Sequence, residues 1–254
     1  MGKISGTLNE ESRILIYDLQ TNTVVIDEVN SAGSYEYLGL TSYDKWVSAM
    51  NTATGESLSY GKVTPAGEPP VEITYSILTA DDDGGYYDGA WRAGATRLSI
   101  DDGSSDIIYM RFDNITIPKD SSIEVAYLEL RSAYGNQGTV RELDLQIRVQ
   151  AADDPIAPTD PTSLINIRNN SLTATIVNWN DIPFGYTGSP TYNTPSIISL
   201  IQETVDRAGW ASGNAIQLLL CYGSADGSAG PRYFSAYENT SYPEPKLYIR
   251  FQAP

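Results

Sequence analysis

Short alternating runs of apolar and polar residues, separated by turn residues, make up most of this chain. Ile123–Arg131 and Leu143–Val149 alternate along their whole length, the pattern of strands with one buried and one wet face. Similar runs at Glu72–Leu78, Thr96–Ile100, Ile107–Phe112, Thr173–Val177, Ala215–Tyr222, Arg232–Tyr237 and Lys246–Phe251 predict nine strands in the C-terminal part. Before them, Lys3–Leu8, Arg13–Tyr17, Thr23–Asp27, Gly33–Leu38, Lys45–Ala49 and Ser57–Tyr60 predict a smaller set of short strands with turns every 8–12 residues. Residues 64–70 hold three prolines and a glycine, which cannot continue a ladder and predict a semi-rigid spacer.

One segment has helical period instead. Thr194 is placed to cap a helix, Pro195 fits its first turn, Ile197, Ile198, Ile201 and Val205 share a face, and Gly209 ends it. The expected fold is therefore all-β: a small β-sandwich over 1–63, a linker over 64–70, and a two-sheet jelly roll over 71–254 with one short helix. In a jelly roll the first and last strands lie side by side, which would bring Asp81–Asp83 near Ser235 and Glu238.

Composition narrows the chemistry. Hydrophobic residues are 41 % of the 254 and charged residues 19 %, enough apolar material for real cores. Tyrosines number 18 against four phenylalanines, which suits sandwiches whose aromatic faces keep a wet tip. The formal charge of −16 argues against nucleic acid and against anionic membrane surfaces as partners. The chain has no histidine, so Ser–His–Asp and Cys–His nucleophiles and His-ligated zinc are excluded. Cys221 is alone and lies in an apolar run, where it is expected to act as a small buried hydrophobe. No run approaches 18 apolar residues, and Met1–Thr7 shows no signal-peptide core.

Two candidate sites stand out. Asp81, Asp82, Asp83 and Asp88, with Ser235 and Glu238, offer a cluster of hard oxygen donors of the kind Ca²⁺ requires. The alternative for the same residues is a solvated, turn-forming acidic loop. Tyr86, Tyr87 and Trp91 in one glycine-rich loop, with Tyr186 and Tyr192 around a proline-rich stretch, offer ring faces for stacking on a glycan. Trp179 and Trp210 are expected in the core, and Asp101–Asp106 in a hairpin loop between two adjacent strands. Arg111, inside a strand, is expected to pair with Asp113 or Glu129.

The order of Ala80–Asp83, Tyr109–Phe112, Ile123–Leu130, Val177–Trp179, the Thr194–Trp210 segment and Arg232–Glu238 resembles the jelly-roll, carbohydrate-binding-type (lectin-like) domains found beside polysaccharide-degrading enzymes and in bacterial surface proteins. Gly2–Gly6, Ile14–Tyr17, Ser31–Tyr37 and Trp46–Ala49 resemble carboxypeptidase-regulatory-like or transthyretin-like sandwiches, and similar modules open virion proteins of tailed bacteriophages. The resemblance implies a non-enzymatic virion structural or surface protein, a head decoration or tail-associated component, partnered by other virion proteins or by itself as a homo-oligomer and in contact with a glycan. The alternatives are a secreted or cell-surface carbohydrate-binding module and a subunit of an extracellular filament.

Overall fold

The structure is a computed structural model. It describes residues 2–8, 12–18, 23–30, 33–40, 45–51, 57–63, 70–101, 105–133, 143–180, 182, 190–225 and 230–254, and before residue 70 it describes side chains only at Ile14, Leu15, Ile16 and Ile26. The chain divides into two units, Met1–Pro69 and Pro70–Pro254, with the boundary inside the proline-rich stretch.

The first unit contains β1 (Gly2–Leu8), β2 (Ser12–Asp18), β3 (Thr23–Asn30), β4 (Gly33–Leu40), β5 (Lys45–Asn51) and β6 (Ser57–Val63). β1 pairs with β4, and a four-stranded antiparallel sheet has the order β3-β2-β5-β6. β2 lies inside that sheet, and its Ile14 and Ile16 are fully buried on either side of the half-buried Leu15. This is the period-two placement expected of the apolar run.

The second unit begins with β7 (Val71–Ser76), β8 (Asp83–Tyr87), β9 (Ala90–Trp91), β10 (Arg97–Ile100), β11 (Ile107–Phe112), β12 (Ser122–Arg131) and β13 (Leu143–Val149). It continues with α1 (Pro161–Asn170), β14 (Val177–Trp179), β15 (Thr191–Asn193), α2 (Ile198–Val205), β16 (Ile216–Ala225), β17 (Arg232–Ser235) and β18 (Lys246–Gln252). Two antiparallel sheets form the body, in the orders β14-β13-β16-β11-β8-β9 and β15-β12-β18-β7. β10 and β17 form a separate two-stranded ribbon. The first strand, β7, pairs with the last, β18, from Val71↔Phe251 to Ser76↔Lys246. The all-β expectation holds, with first and last strands adjacent.

The core lies between the two sheets. Ile108, Met110 and Phe112 from β11, Leu145 and Ile147 from β13, Leu128 and Leu130 from β12, and Leu247 and Ile249 from β18 are all fully buried in one cluster. Trp179 and Trp210 join it, and the Trp210 indole N–H donates to the Ile117 carbonyl at 3.1 Å. Strict alternation along β12 would put Ile123 and Tyr127 on one face. The β12–β18 register instead shifts between Ile123 and Val125, and this bulge turns Ala126, Leu128 and Leu130 inward beside Ile123. Tyr127 is thereby directed outward, where its ring stacks on that of its cross-strand partner Tyr248 at 4.9 Å.

Four sequence expectations change. First, a second helix is present: α1 is capped by Asp160 in a capping box with Ser163, and Pro161 opens its first turn. Second, α2 spans only Ile198–Val205 and has no side-chain cap. Thr194 lies before it, and its hydroxyl accepts the Leu128 N–H of β12 at 3.0 Å. Third, β10 and β11 do not form a hairpin; β10 pairs with β17, from Arg97↔Ser235 to Ile100↔Arg232. Fourth, the strand expected at Thr173–Val177 starts only at Val177, because Val177–Trp179 are the residues that reach the β13 ladder.

Candidate functional site

The acidic stretch enters β8 through a tight turn. The Asp82 N–H donates to the Thr79 carbonyl at 3.0 Å, and the Thr79 hydroxyl donates to Asp82 Oδ2 at 2.9 Å. Across the sheet, Arg111 on β11 donates from Nη1 to Asp82 Oδ1 at 2.8 Å, from Nη2 to Asp113 at 3.0 Å and from Nε to the Pro155 carbonyl at 2.7 Å. Glu129 is not among these partners. Both carboxylate oxygens of Asp82 are thus engaged within the protein, and Arg111 is the cation that balances it.

Asp83 has a different environment. It is 1 % exposed, and its Oδ2 accepts the Tyr237 N–H at 2.9 Å across a separation of 154 residues. Its Oδ1 is buried without a hydrogen-bond partner. Both carboxylate oxygens of Glu238 are shielded from solvent in the same way, and its own backbone N–H is the group that acts to lower its carboxyl. Burial pushes the Asp83 carboxyl up to about 7, opposed by the Tyr237 N–H and reinforced by the negative charges of Glu238, Asp82 and Glu244. Burial likewise raises Glu238, with Asp81 adding to it.

The remaining members of the sequence-nominated cluster lie elsewhere or are otherwise engaged. Asp81 is exposed at the edge of the turn, and its carbonyl accepts the Tyr109 phenol at 3.2 Å. Asp88 is exposed with φ of 53° and is followed by Gly89 with φ of 67°. These are the two left-handed positions of a type I′ hairpin joining β8 to β9. Five residues of extended strand separate it from Asp83, roughly 16 Å, so the two cannot share one ion. The Ser235 hydroxyl donates to the Tyr242 carbonyl at 3.1 Å. Among the described residues, no three His, Cys, Asp or Glu side chains converge in metal-holding geometry.

The segment after β9 runs beside β8 and reaches Glu238. A Cβ on Gly84 would come within 2.8 Å of the Arg92 carbonyl, and a Cβ on Gly94 would stand 3.8 Å from Glu238 Oε1. Backbone therefore approaches Glu238 at Gly94, while the Arg92 carbonyl lies over the Tyr109 face of β8, opposite the face on which Asp83 sits beside Met110.

The aromatic candidates sit on the β8–β9 hairpin, which sequence reading took for a glycine-rich loop. Tyr86 and Trp91 are cross-strand partners and both are half-buried. The Trp91 ring stacks on Tyr109 at 5.9 Å with an interplanar angle of 9°. Together they pack onto a second apolar cluster on the outer face of the six-stranded sheet, where Leu164 of α1 covers Ile107, Tyr109, Leu219 and Cys221. Burial pushes the Cys221 thiol up to about 11, so it is an inert thiol at neutral pH. Tyr87 points the other way. It is 3 % exposed and its phenol donates to the Arg97 carbonyl at 2.8 Å, so it is a core residue and not a glycan contact. Tyr192 on β15 is half-buried and packs against the inter-sheet core. Tyr186 falls outside the described residues.

Sequence reading missed two features of this region: the tie of Asp82 to Arg111 and the buried, unpartnered oxygens of Asp83 and Glu238. Arg111 placed in a strand was the signal for the first. The second depends on burial, which no local pattern reports. Comparison with protein-family models and with curated protein sequences finds no match to this chain.

Proposed function

We propose that this chain is a non-enzymatic structural protein of a virion surface, of the head-decoration or tail-associated kind carried by tailed bacteriophages. On this reading the first unit attaches to the particle or to sister copies, and the second faces outward. The observation that supports it best is the use made of the second unit's polar and aromatic residues. Arg111 joins three acceptors, Tyr87 fastens one strand to the next, and Arg207 holds Asp153 at 2.6 Å, so these groups brace the scaffold. The complete absence of histidine and the formal charge of −16 fit an exposed, self-repelling coat better than a catalytic cleft.

The test is direct. Purified particles from the source organism are separated by density gradient and their proteins quantified by mass spectrometry. The reading expects this chain in fixed stoichiometry with the other particle proteins. Recovery only as a free monomer, never with particles, would overturn it.

A second reading, a carbohydrate-binding module, is favoured by one observation: Tyr86 and Trp91 lie side by side and half-exposed on one hairpin. Rings so placed can stack on a pyranose. Micromolar binding to one polysaccharide, lost in Trp91→Ala with the fold retained, would favour this reading over the first.

A further inference from the structure

We propose that Asp83 and Glu238 together form a binding site for one hard divalent cation of the Ca²⁺ class, beside Gly94. This goes beyond the particle reading and does not depend on it.

The inference rests on a count of buried oxygens and charge. Asp83 Oδ1, Glu238 Oε1 and Glu238 Oε2 are all shielded from water and lack hydrogen-bond partners. A buried carboxylate oxygen left unpaired costs several kcal/mol, so such groups are normally neutralised or coordinated. The charges that weigh most on Asp83 are all negative. Arg111, the cation bound to the acidic turn, is already committed to Asp82, Asp113 and Pro155.

Two kinds of species would settle the pair. A shared proton places one O–H···O contact between the carboxyls, which uses two of the three oxygens and leaves a net charge of −1. A divalent cation takes all three oxygens and matches the charge of −2. The donor set is entirely oxygen, which selects Ca²⁺ over Zn²⁺. Two carboxylates, with Glu238 free to bind through both oxygens, leave the rest of a six- to eight-oxygen shell to water and backbone carbonyls. Backbone reaches the pair at Gly94, where a Cβ would stand 3.8 Å from Glu238 Oε1. Mg²⁺, with its stricter octahedron and reluctance to dehydrate, is the poorer fit.

This ligand set differs from the one the sequence nominated. Asp82 is neutralised by Arg111, Asp88 lies at the far end of β8, and the Ser235 hydroxyl is bonded to a backbone carbonyl. The ion would strengthen the link already made by the Tyr237 N–H to Asp83, which ties the start of β8 to the chain just after β17.

The experiment uses the full chain, stripped with EDTA and exchanged into metal-free buffer. CaCl₂ and MgCl₂ are titrated by calorimetry, and thermal unfolding is followed by circular dichroism. The expected result is one calcium site. At a hundredfold excess over its Kd, Ca²⁺ should raise the unfolding temperature of the second unit by roughly 5–10 °C, with a weaker response to Mg²⁺. Glu238→Gln should abolish the calcium-dependent rise while keeping the folded spectrum. Asp83→Asn should do the same, and should it fail to fold, the half-exposed Glu238 still decides the matter. Asp144→Asn, a surface acid on β13, should leave the rise intact. An unfolding temperature indifferent to EDTA and Ca²⁺, or a calcium response that persists in Glu238→Gln, would overturn the proposal. A pH-dependent but cation-independent stability would do so too, assigning the pair to a shared proton.

Discussion

Arg111 and Asp82 are joined twice, once through the backbone, where the Arg111 N–H donates to the Asp82 carbonyl at 2.7 Å, and once through their side chains at 2.8 Å. The pair fastens the acidic turn to β11 before β8 begins. Asp82 is 3 % exposed, so removing its cation leaves a buried carboxylate with only the Thr79 hydroxyl. Arg111→Met is expected to destabilise the second unit by about 3 kcal/mol. Arg111→Lys should recover only part of that, because a point charge cannot serve three acceptors at once. Urea denaturation checks both, with the midpoint falling and the slope unchanged.

Gly85 sits where β8 passes closest to β11. A Cβ there would collide with the Ile107 carbonyl and come within 3.0 Å of the Tyr87 ring. The colliding atom is backbone in a sheet ladder, so it has little freedom to retreat. Gly85→Ala should cost at least about 2 kcal/mol. It should also disturb the Trp91–Tyr109 stack on the neighbouring strands, visible as a change in near-UV circular dichroism. Substitution at Gly89, where nothing lies within 4 Å but φ is +67°, should carry only the milder backbone penalty.

Thr194 locks the segment leading into α2 onto β12. Its hydroxyl accepts the Leu128 N–H at 3.0 Å and donates to the Pro195 carbonyl at 3.0 Å. Thr194→Val keeps the shape but strands a buried amide. A loss of about 1–3 kcal/mol is expected, with faster hydrogen exchange at Leu128. Thr194→Ser should restore most of the protection.

How much of this was legible in advance varies by residue. The strands at Ile107–Phe112 and Lys246–Phe251 could be read from periodicity because burial on one face forces it, and both are present. The pairing of β7 with β18 also followed from the strand pattern. The β8–β9 hairpin was hidden because glycines 84, 85 and 89 look like a loop. They are needed for close backbone approach at Ile107 and Arg92 and for a left-handed turn at Gly89. Helix α1 was hidden because Asp160-Pro161 reads equally as a turn, and only Leu164 of its residues is fully buried. Asp82 and Asp83 are adjacent and alike in sequence, yet one meets Arg111 and the other meets no side-chain cation. β11 lies beside both, with Met110 opposite Asp83, but neighbouring side chains take opposite faces and Arg111 is on the Asp82 face; no spacing rule encodes that.

Asp106 is another buried carboxyl, independent of the Asp83 site, and gives the chain a pH dependence of known sign. It is 4 % exposed and accepts the Asp101 N–H at 3.3 Å. Burial first, and then the neighbouring Asp101 carboxylate, push it up to about 7 from an ordinary value of 3.8, with Asp88 at the hairpin tip adding a smaller repulsion. The folded state therefore binds this proton more tightly than the unfolded chain does. The stability it contributes is fully present below about pH 4 and is lost as pH rises through 7. Between those limits the slope is at most about 1.4 kcal/mol per pH unit. Asp83 titrates in the same direction, so the wild-type curve alone does not isolate Asp106. The difference between wild type and Asp106→Asn does, because the amide carries no titrating proton at that position. Chemical denaturation of both proteins at pH 5, 6, 7 and 8 should show the variant gaining on the wild type as pH rises. Parallel curves would mean that Asp106 is ionised in the folded protein throughout this range.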